Sequence, residues 1–396
     1  MKKIEFDLNN DNKLYFLPEY NRFALNDLDF NLSPDYADTS LVKLRLEITY
    51  ICNGRCKYCL VYGNNVDSPE ITDIEEFWKY LTSQEWFKNI KTIFIIGGEP
   101  LCCFKEISYI IDHFDGRISF STNGTLLTKE MVEKFSKANV HVYISLDGPT
   151  FEDNKNRVYV NGDYMYPDIV KGIDLLNEYH IPFGIFMVAN TNTVYKAKDM
   201  IMELDKKYSP TRIGYSLPHW TEDYTVSLAE EFRDVLIELY KNRKNINAEI
   251  PQINWRLSPL LDGKVKKFSC GLHTTQITVL PDKSIIRCSK IDNGSKDDLG
   301  LRITNELLDK NSPIELAKDE NSDCSKCIAL ACCGGGCPFD GMKRFNCLTD
   351  KRECVITPPL IKMAINDVVT AFKEQNIDVP NGLVDPKIIR KILWSK

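Results

Sequence analysis

Residues 44–63 read LRLEITYICNGRCKYCLVYG, an apolar β-branched run followed directly by three cysteines. Cys52, Cys56 and Cys59 have the spacing C-x3-C-x2-C on one short loop. Three thiolates on such a loop can bind three irons of a cubane cluster, because cysteine thiolate is the usual iron–sulfur ligand. The fourth iron then lacks a protein ligand, and an open position is typical of a catalytic metal rather than a structural one. The stretch therefore predicts a strand that presents a reactive iron–sulfur site, with a zinc knuckle as the alternative.

The composition is that of an ordinary globular chain. It has 396 residues, of which 43% are hydrophobic and 27% charged, and this length predicts two or three domains. The net charge of −6 and the lack of a basic block argue against a nucleic-acid partner. No apolar run approaches the ~18 residues that span a bilayer, and the N-terminus lacks the apolar core of a signal peptide. We therefore expect a cytoplasmic protein without a membrane segment.

The 14 cysteines are clustered: three at 52–59, two at 102–103 and nine between 270 and 354. A reducing compartment disfavours disulfides, so metal binding is the better explanation for the first and last groups. Cys102 and Cys103 are expected to be small buried apolar residues. The distribution predicts two metal-binding regions.

Strand and helix patterns alternate after residue 40. Continuous apolar strands separated by helices indicate a parallel sheet covered by helices. Six strands fall short of the eight that close a full barrel, so we predict an α/β fold with an open, partial (β/α)6 TIM barrel. The predicted strands are Leu44–Thr49, Thr92–Gly97, Ile118–Thr122, Val140–Leu146, Pro182–Val188 and Arg212–Leu217. The helical patterns include Ile74–Leu81, Thr128–Lys137, Val170–Tyr179, Tyr195–Lys207 and Leu228–Asn242.

Polar and glycine motifs follow successive strands. Active sites of parallel α/β folds lie at the carboxyl ends of the strands, so these motifs should share one rim. Glycine lets the backbone approach a ligand closely, and the planar fork of an arginine can bind both oxygens of a carboxylate. The candidate residues are Gly97, Gly98 and Glu99 after the second strand, Thr122 and Asn123 after the third, Ser145 and Asp147 after the fourth, and Arg157 ten residues later.

Together the cysteine loop and these motifs resemble the radical S-adenosylmethionine (SAM) superfamily. The resemblance implies that the open iron of a [4Fe–4S] cluster binds the amino and carboxylate groups of SAM. It also implies that Tyr58 packs against the adenine and that a backbone carbonyl of Gly97 or Gly98, beside Glu99, accepts from the SAM ammonium. Ser145 and Arg157 would contact the ribose and the carboxylate of SAM.

The cysteines after residue 270 resemble the SPASM extension of radical SAM proteins, which carries two auxiliary iron–sulfur clusters. The resemblance implies three [4Fe–4S] clusters in all. One auxiliary cluster would use Cys270, Cys288 and Cys337; the other would use Cys324, Cys327, Cys333 and Cys354, with Cys347 as a weaker candidate for the last ligand. The first lacks a fourth cysteine, so it has an open iron or is completed by His273, Cys332 or a substrate thiol. A local zinc-ribbon pattern is the alternative.

This organisation predicts five regions. They are an N-terminal β-hairpin or extension (1–40), the radical SAM barrel (41–225), a connecting helix and linker (226–265), the SPASM domain (266–360) and a C-terminal helical tail (361–396). A β-hairpin around PDKS, residues 281–284, is expected between Cys270 and Cys288.

By resemblance, the protein is a maturase that installs a thioether or another side-chain crosslink in a ribosomally made precursor peptide. It would need a low-potential electron donor such as flavodoxin or ferredoxin, and a separate leader-binding protein is a further candidate partner. An anaerobic sulfatase-maturing enzyme is the alternative, although those enzymes carry an aspartate where this chain has Ser289. A non-catalytic iron–sulfur electron-transfer protein is the alternative of another class. No residue can be assigned to proton transfer from the sequence.

Overall fold

The structure is a computed structural model, and it describes residues 3–9, 11–26, 31–37, 40–59, 70–218, 225–270, 275–286, 288, 310–375, 377 and 379–394. The chain begins with a small antiparallel sheet of β1 (Ile4–Asp7), β2 (Lys13–Leu17) and β3 (Arg22–Leu25). β1 and β2 pair as an antiparallel hairpin within the N-terminal region 1–40, for which the sequence predicts a hairpin. A short strand near the C-terminus, Gly382–Leu383, pairs with β3 and completes this sheet.

The core of the fold is an eight-stranded sheet. Six parallel strands follow the predicted order and closely match the predicted bounds. They are β4 (Lys43–Thr49), β5 (Thr92–Gly97), β6 (Arg117–Thr122), β7 (Val140–Ser145), β8 (Phe183–Val188) and β9 (Arg212–Ser216). The predicted hairpin is also present as β10 (Gln276–Val279) and β11 (Ile285–Ile286), and β10 pairs in parallel with β4. The sheet order is therefore β11-β10-β4-β5-β6-β7-β8-β9.

Helices cover the outer face of this sheet. Alternate strand residues such as Leu44, Ile93, Val142 and Ile185 point into one continuous apolar core with the helices. The helices of this region are α1 (Ile74–Ser83), α2 (Phe104–His113), α3 (Lys129–Phe135), α4 (Tyr166–Glu178), α5 (Ala197–Tyr208), α6 (Val226–Lys241) and α7 (Pro251–Asp262). Side-chain caps fix several starts: the Asp73 carboxylate accepts from the first-turn N–H groups of α1, and Thr128 and Thr225 do the same for α3 and α6.

Aromatic rings occupy the other face of the sheet, near the middle of the strands. Tyr143 stacks on Phe186 with the ring centroids 4.6 Å apart and meets Phe94 edge-on at 5.8 Å. Two glycines make this layer possible. A Cβ at Gly184 would lie 2.9 Å from the Tyr143 ring, and one at Gly214 would lie 2.4 Å from Phe186. The rings fill the barrel interior beneath the rim on which the polar motifs lie.

The C-terminal region is mostly helical. Its elements are α8 (Pro313–Leu316), α9 (Leu330–Cys333), α10 (Pro338–Phe345), α11 (Lys351–Glu374), β12 (Gly382–Leu383) and α12 (Pro386–Trp394). Two features of this arrangement differ from the predicted division into domains. The border between residues 360 and 361 falls inside the continuous helix α11, and the hairpin assigned to the SPASM domain is hydrogen-bonded to the barrel sheet. The folded chain thus joins segments that the sequence assigns to different domains.

Helix α11 is long and apolar enough to cross a membrane, the one such helix among the described residues. Of its apolar window, 56% is buried inside the fold. A buried core helix passes the same test of length and composition, so this helix is weak evidence for a membrane span.

A buried ion pair ties α7 to α11. The Arg256 Nη2 donates to Glu353 Oε1 at 2.6 Å, and Thr357 donates its hydroxyl to the second carboxylate oxygen at 2.6 Å. The two charged side chains are only 3% and 10% exposed. Removing one partner would leave the other charge buried without compensation.

We predict that Arg256→Met lowers the free energy of unfolding by about 3–5 kcal/mol, the cost of an uncompensated buried charge. Urea unfolding under anaerobic conditions measures it. Arg390→Met is the matched control, because the Arg390–Asp262 pair is 52% and 41% exposed and should contribute at most about 1 kcal/mol. The double variant Arg256→Met/Glu353→Leu should recover most of the lost free energy of unfolding. An Arg256→Met variant as stable as the wild type would contradict the prediction.

Candidate active site and cysteine groups

The cysteine loop is held by a second segment of chain. The N–H of Arg55 donates to the Val158 carbonyl at 2.7 Å, Lys57 donates to Asn156 at 3.1 Å, and Val160 donates back to Asn53 at 3.0 Å. Residues 53–57 therefore pair antiparallel with residues 156–160. This pairing positions Arg157 beside the loop, close enough for its positive charge to act on the Cys56 thiol.

Asp147 connects the loop to the barrel. Its Oδ1 accepts from Arg157 Nη2 at 2.8 Å and from the Val188 N–H at 3.1 Å, and its Oδ2 accepts from the Tyr58 hydroxyl. The guanidinium carbon of Arg157 also lies 5.4 Å from the centre of the Tyr58 ring. Arg157 is 5% exposed, so it is not a solvated surface arginine. Its Nε is buried without a hydrogen-bond partner among the described residues, which leaves a donor for an anionic group.

Glu99 connects the motifs after the second and third barrel strands. Its carboxylate accepts from the Leu101 N–H at 3.0 Å, the Thr122 hydroxyl at 2.6 Å and the Asn123 N–H at 2.7 Å. Burial raises the pKa of Glu99, and these three donors oppose that shift. The Asn123 amide then donates to Asn53 Oδ1 at 2.8 Å, so the network reaches the cysteine loop.

Gly97 and Gly98 are required by a close approach within the protein. A Cβ at Gly97, whose φ is +143°, would lie 2.1 Å from the Thr49 carbonyl oxygen. A Cβ at Gly98 would lie 2.3 Å from the Ile51 carbonyl oxygen. These glycines, expected to let a ligand approach, first allow β5 to approach the chain leading into the cysteine loop. Ser145 lies half-buried at the end of β7.

The three loop thiols lie within electrostatic reach of one another. Burial is the main cause that raises the pKa of Cys52 to about 12; the charges of Glu99, Cys59 and Cys56 add to it, and a hydrogen bond from the Gly54 N–H opposes it. Burial also raises the pKa of Cys56. Such thiols need a metal to become thiolates at neutral pH. Three thiols on one loop, next to the Arg157 Nε that has no hydrogen-bond partner among the described residues, fit a cluster with a bound anionic ligand.

A second group is formed by Cys324, Cys327, Cys333 and Cys354. After burial, the charges of Cys324 and Cys327 are the largest causes of the raised pKa of Cys354, about 11. Burial is also the largest cause of the raised pKa of Cys333, and the charges of Glu353, Cys354 and Cys327 add to it. The structure thus brings together all four residues predicted for this group. Cys347 instead directs its thiol to the Thr349 carbonyl at 3.1 Å.

Cys270, Cys288 and Cys337 line one cavity of about 420 Å³. On its barrel side the cavity is lined by Arg45, Ser216 and Leu217, so it opens between the two ends of the partial barrel. Cys332 does not join this group: its thiol is fully buried and donates to Asn21 Oδ1 of the N-terminal sheet at 3.1 Å. His273 and Ser289 lie outside the described residues.

No three His, Cys, Asp or Glu side chains in the described ranges surround a single metal-ion position. A cubane binds each thiolate at a different iron, so its ligands stand farther apart than those of one ion. The cysteine groups are compatible with that wider arrangement.

One residue beside the cysteine groups has no signal in the sequence. Lys266 is buried, with its pKa lowered to about 8 by burial, and it lies within electrostatic reach of both Cys333 and Cys270. Its Nζ lies 4.1 Å from the centre of the Trp255 ring. No local pattern marks such a lysine.

Cys102 is exposed, contrary to the expectation of a buried apolar residue, whereas Cys103 is half-buried.

Residues 46–204 match the family model of the Radical SAM superfamily. The chain therefore carries a radical SAM domain, a class defined by SAM and a [4Fe–4S] cluster. Over 368 residues it is 23% identical to the radical SAM cyclopropyl synthase TigE of Paramaledivibacter caminithermalis, covering 83% of this chain and 75% of TigE. It is 29% identical to the cysteine-type anaerobic sulfatase-maturating enzyme of Clostridium perfringens, covering 72% of this chain and 85% of that enzyme.

A third relative is an uncharacterised protein of Methanocaldococcus jannaschii, 34% identical over 160 residues, or 38% of this chain. The match spans only 54% of that protein's length.

Solved structures share the fold. Native anSMEcpe with bound AdoMet and Kp18Cys peptide has a TM-score of 0.64 at 20% identity and covers 85% of this chain and 99% of its own. Streptococcus suis SuiB bound to precursor peptide SuiA has a TM-score of 0.57 at 17% identity, covering 80% of this chain and 76% of SuiB. The predicted fold class, a partial barrel followed by a cysteine-rich SPASM-type region, is confirmed.

Two adjacent cysteines provide a matched test of the second cysteine group. We predict that Cys333→Ala loses about four irons per chain, one cubane, whereas Cys332→Ala keeps all of its iron because its thiol faces Asn21. Iron analysis of the anaerobically reconstituted proteins measures the difference. Equal iron contents in the two variants would contradict this ligand set.

Proposed function

We propose that this protein is a radical SAM maturase that modifies a peptide, installing a thioether or another side-chain crosslink. The observation that carries the proposal is the junction of the cysteine loop with Asp147 and Arg157 on the barrel rim. This junction places a site for three thiolates next to buried Arg157. Its Nη2 donates to Asp147, but its Nε has no hydrogen-bond partner among the described residues. When bound there, SAM and its cluster would supply hydrogen-atom abstraction by a radical derived from SAM.

The residues of this chain would bind and orient the cofactor. Cys52, Cys56 and Cys59 would hold the cluster, and Arg157 would bind the SAM carboxylate through its free Nε. Gly97, Gly98 and Glu99, with Thr122, Asn123 and Ser145, would form the rest of the SAM site. The aromatic layer of Phe94, Tyr143 and Phe186 would keep water out from below.

The C-terminal cysteines would hold auxiliary clusters: one on Cys270, Cys288 and Cys337, the other on Cys324, Cys327, Cys333 and Cys354. The first of these groups lines the cavity of about 420 Å³ beside the barrel opening, which has room for a peptide side chain. Peptides are present in the anSMEcpe and SuiB structures that share this fold. These likenesses support a precursor peptide as the substrate. A separate leader-binding protein remains a prediction.

Maturation of a sulfatase is the second candidate. The 29% identity to the Clostridium perfringens sulfatase-maturating enzyme, over 85% of its length, supports it. Anaerobic co-expression with a sulfatase and, separately, with a cysteine-containing peptide encoded nearby, followed by mass spectrometry, separates the candidates. Formylglycine in the sulfatase, with an unmodified peptide, would overturn the crosslinking proposal. A reduced protein that forms no 5′-deoxyadenosine from SAM would instead indicate an electron-transfer protein.

We predict that Arg157→Ala weakens SAM binding by about 1.5–3 kcal/mol, the range for a hydrogen bond to a charged group. Arg157→Lys should restore little of the lost SAM affinity, since a point charge cannot reproduce the guanidinium fork. Equilibrium dialysis of the reconstituted protein measures the affinity. Lys196→Ala is the control. Lys196 is 39% exposed and pairs with Asp153, which follows strand β7 as Arg157 does. Unchanged SAM affinity in a folded Arg157→Ala variant would remove Arg157 from the site.

We also predict that Cys327→Ala separates radical formation from product formation. The variant should still release 5′-deoxyadenosine, because the SAM residues lie on the barrel rim, but should yield little modified peptide. Both products are measured in one anaerobic assay, with circular dichroism to verify folding, since a bound cluster can also stabilise the fold. A folded variant that crosslinks at the wild-type rate would rule out an essential electron-transfer role for this cysteine group.

A further inference from the structure

Four basic side chains lie at the end of the sheet opposite the candidate active site. Each belongs to the first or second residue of a parallel strand, so all four share the amino-terminal end of the barrel. We call them the amino-end group: Lys43 of β4, Arg117 of β6, His141 of β7 and Arg212 of β9. Lys43 and Arg117 both pair in register with Thr92 of the strand between them. Their backbones are therefore about 10 Å apart, twice the strand spacing, and long side chains can converge on one ligand.

The amino-end group lies on the inner face of the barrel, against the aromatic layer. The Lys43 Nζ is 4.9 Å from the centre of the Phe94 ring, and the centres of the His141 and Tyr143 rings are 4.6 Å apart. Arg212 donates from Nη1 to the Tyr143 hydroxyl at 3.4 Å. These side chains therefore face one another across the barrel interior rather than the outer helices.

The positive charges of the group are only partly compensated. Glu249 pairs with Arg212, whose Nε donates to its carboxylate at 2.8 Å. No carboxylate of the described residues forms an ion pair with Lys43 or Arg117. Asp115, the acidic residue nearest to Arg117 along the chain, is exposed. With the imidazole neutral, three positive charges and one negative charge leave a net charge of +2.

Lys43 experiences the repulsion within the group. Burial, and after it the charges of Arg45, Arg212 and Arg117, lower the pKa of Lys43 to about 8. All of the charges that act on this lysine are positive. Arg45 and Glu47, the next inner-face residues of β4, carry opposite charges and leave the net charge of the group unchanged. A bound anion would relieve this repulsion.

His141 contributes a buried hydrogen-bonding atom without a partner. The residue is 7% exposed, and its Nδ1 has no hydrogen-bond partner among the described residues. The Thr211 hydroxyl donates to the Phe183 carbonyl at 2.9 Å, so its oxygen accepts from the His141 Nε2 at 2.7 Å. Burial, and then the charges of Arg117 and Arg212, lower the pKa of His141 to about 4. At neutral pH the Nδ1 is therefore a lone pair that lacks a donor.

We propose that the amino-end group binds one inorganic phosphate ion as the monohydrogen dianion. A phosphate group carries a charge of about −1.5 to −2 at pH 7, which balances the net charge of the group, and a guanidinium can bind two of its oxygens. The remaining O–H of the ion can donate to the His141 Nδ1. Arg117 is exposed, so this end of the barrel is open to solvent. The inference is independent of the proposed function.

The choice of anion provides the first test. Sulfate has a similar charge and shape but no O–H, and the dianion of a phosphate ester has none, so both would leave the buried Nδ1 unsatisfied. Isothermal titration of the anaerobically reconstituted protein, at neutral pH and constant ionic strength, compares sodium phosphate, sodium sulfate and glycerol 3-phosphate. We expect one phosphate per chain and a Kd about tenfold lower than for the other two anions.

His141→Phe removes the acceptor, so phosphate and sulfate should bind this variant with the same Kd. A wild-type protein that binds no phosphate, or that binds phosphate and sulfate equally, would overturn the proposal. Tighter binding of glycerol 3-phosphate than of phosphate would also overturn it, by assigning the site to a phosphate ester.

Lys43→Met separates a binding role from a structural one. Because it removes one of several mutually repelling charges, its Tm without phosphate should be no lower than that of the wild type. Its Kd for phosphate should rise about tenfold, and the rise in Tm that phosphate causes in the wild type should disappear. Arg117→Met, on another strand, should weaken phosphate binding in the same way.

Lys171→Met is the matched control, because Lys171 is 76% exposed on helix α4 and pairs with Asp168. It should keep the wild-type Kd and the phosphate-dependent rise in Tm. An unchanged Kd for phosphate in Lys43→Met and Arg117→Met would overturn the proposal. A lower Tm in Lys43→Met with an unchanged Kd would overturn it too, by assigning this lysine to the fold.

Discussion

The carboxylate of Asp147 is the interaction on which the candidate site depends. It lies two residues beyond the end of β7 and binds the backbone of β8, the Arg157 guanidinium and the Tyr58 hydroxyl. A buried charged pair is stable only with good geometry and further hydrogen bonds, and here both are present. Because Arg157 lies in the segment that pairs with residues 53–57, Asp147 fixes the cysteine loop relative to the barrel rim.

The same rim is reinforced from the other side by Glu99. Its three accepted hydrogen bonds and the Asn123–Asn53 contact join β5, β6 and the loop into one network. The glycines at 97 and 98 let β5 lie against the chain that leads into the loop. The loop that would carry the reactive iron is therefore held by hydrogen bonds on both flanks, as a site that must keep reacting groups in register requires.

The C-terminal region is attached to this barrel by backbone hydrogen bonds and a buried ion pair. Its hairpin extends the sheet through β10 and β4, and the Arg256–Glu353 pair locks α7 to α11. Three cysteines then line a cavity at the opening of the barrel, while four others gather around α9 and the start of α11. Lys266 lies within electrostatic reach of Cys270 and Cys333, one cysteine from each group.

Much of this organisation was determined by the sequence alone. Continuous β-branched runs and alternating helices predict the six barrel strands within a residue or two, because a strand buried on both faces needs apolar residues at every position. Cysteine spacing predicts the reactive loop at residues 52–59, because three thiolates on one short segment can bind one cluster. The ligand sets of the later groups follow only from the resemblance to the SPASM extension.

Only the tertiary structure decided which groups meet across the chain. Neither the pairing of residues 53–57 with 156–160 nor that of β10 with β4 follows from local pattern, since such backbone pairings depend on the path of the whole chain. Likewise Cys332 and Cys333 are neighbours in sequence, yet the Cys332 thiol donates to Asn21 whereas Cys333 lies within electrostatic reach of Cys354 and Cys327. Helix geometry turns adjacent side chains by about 100°, so the packing of α9 against the rest of the fold gives the two cysteines different surroundings.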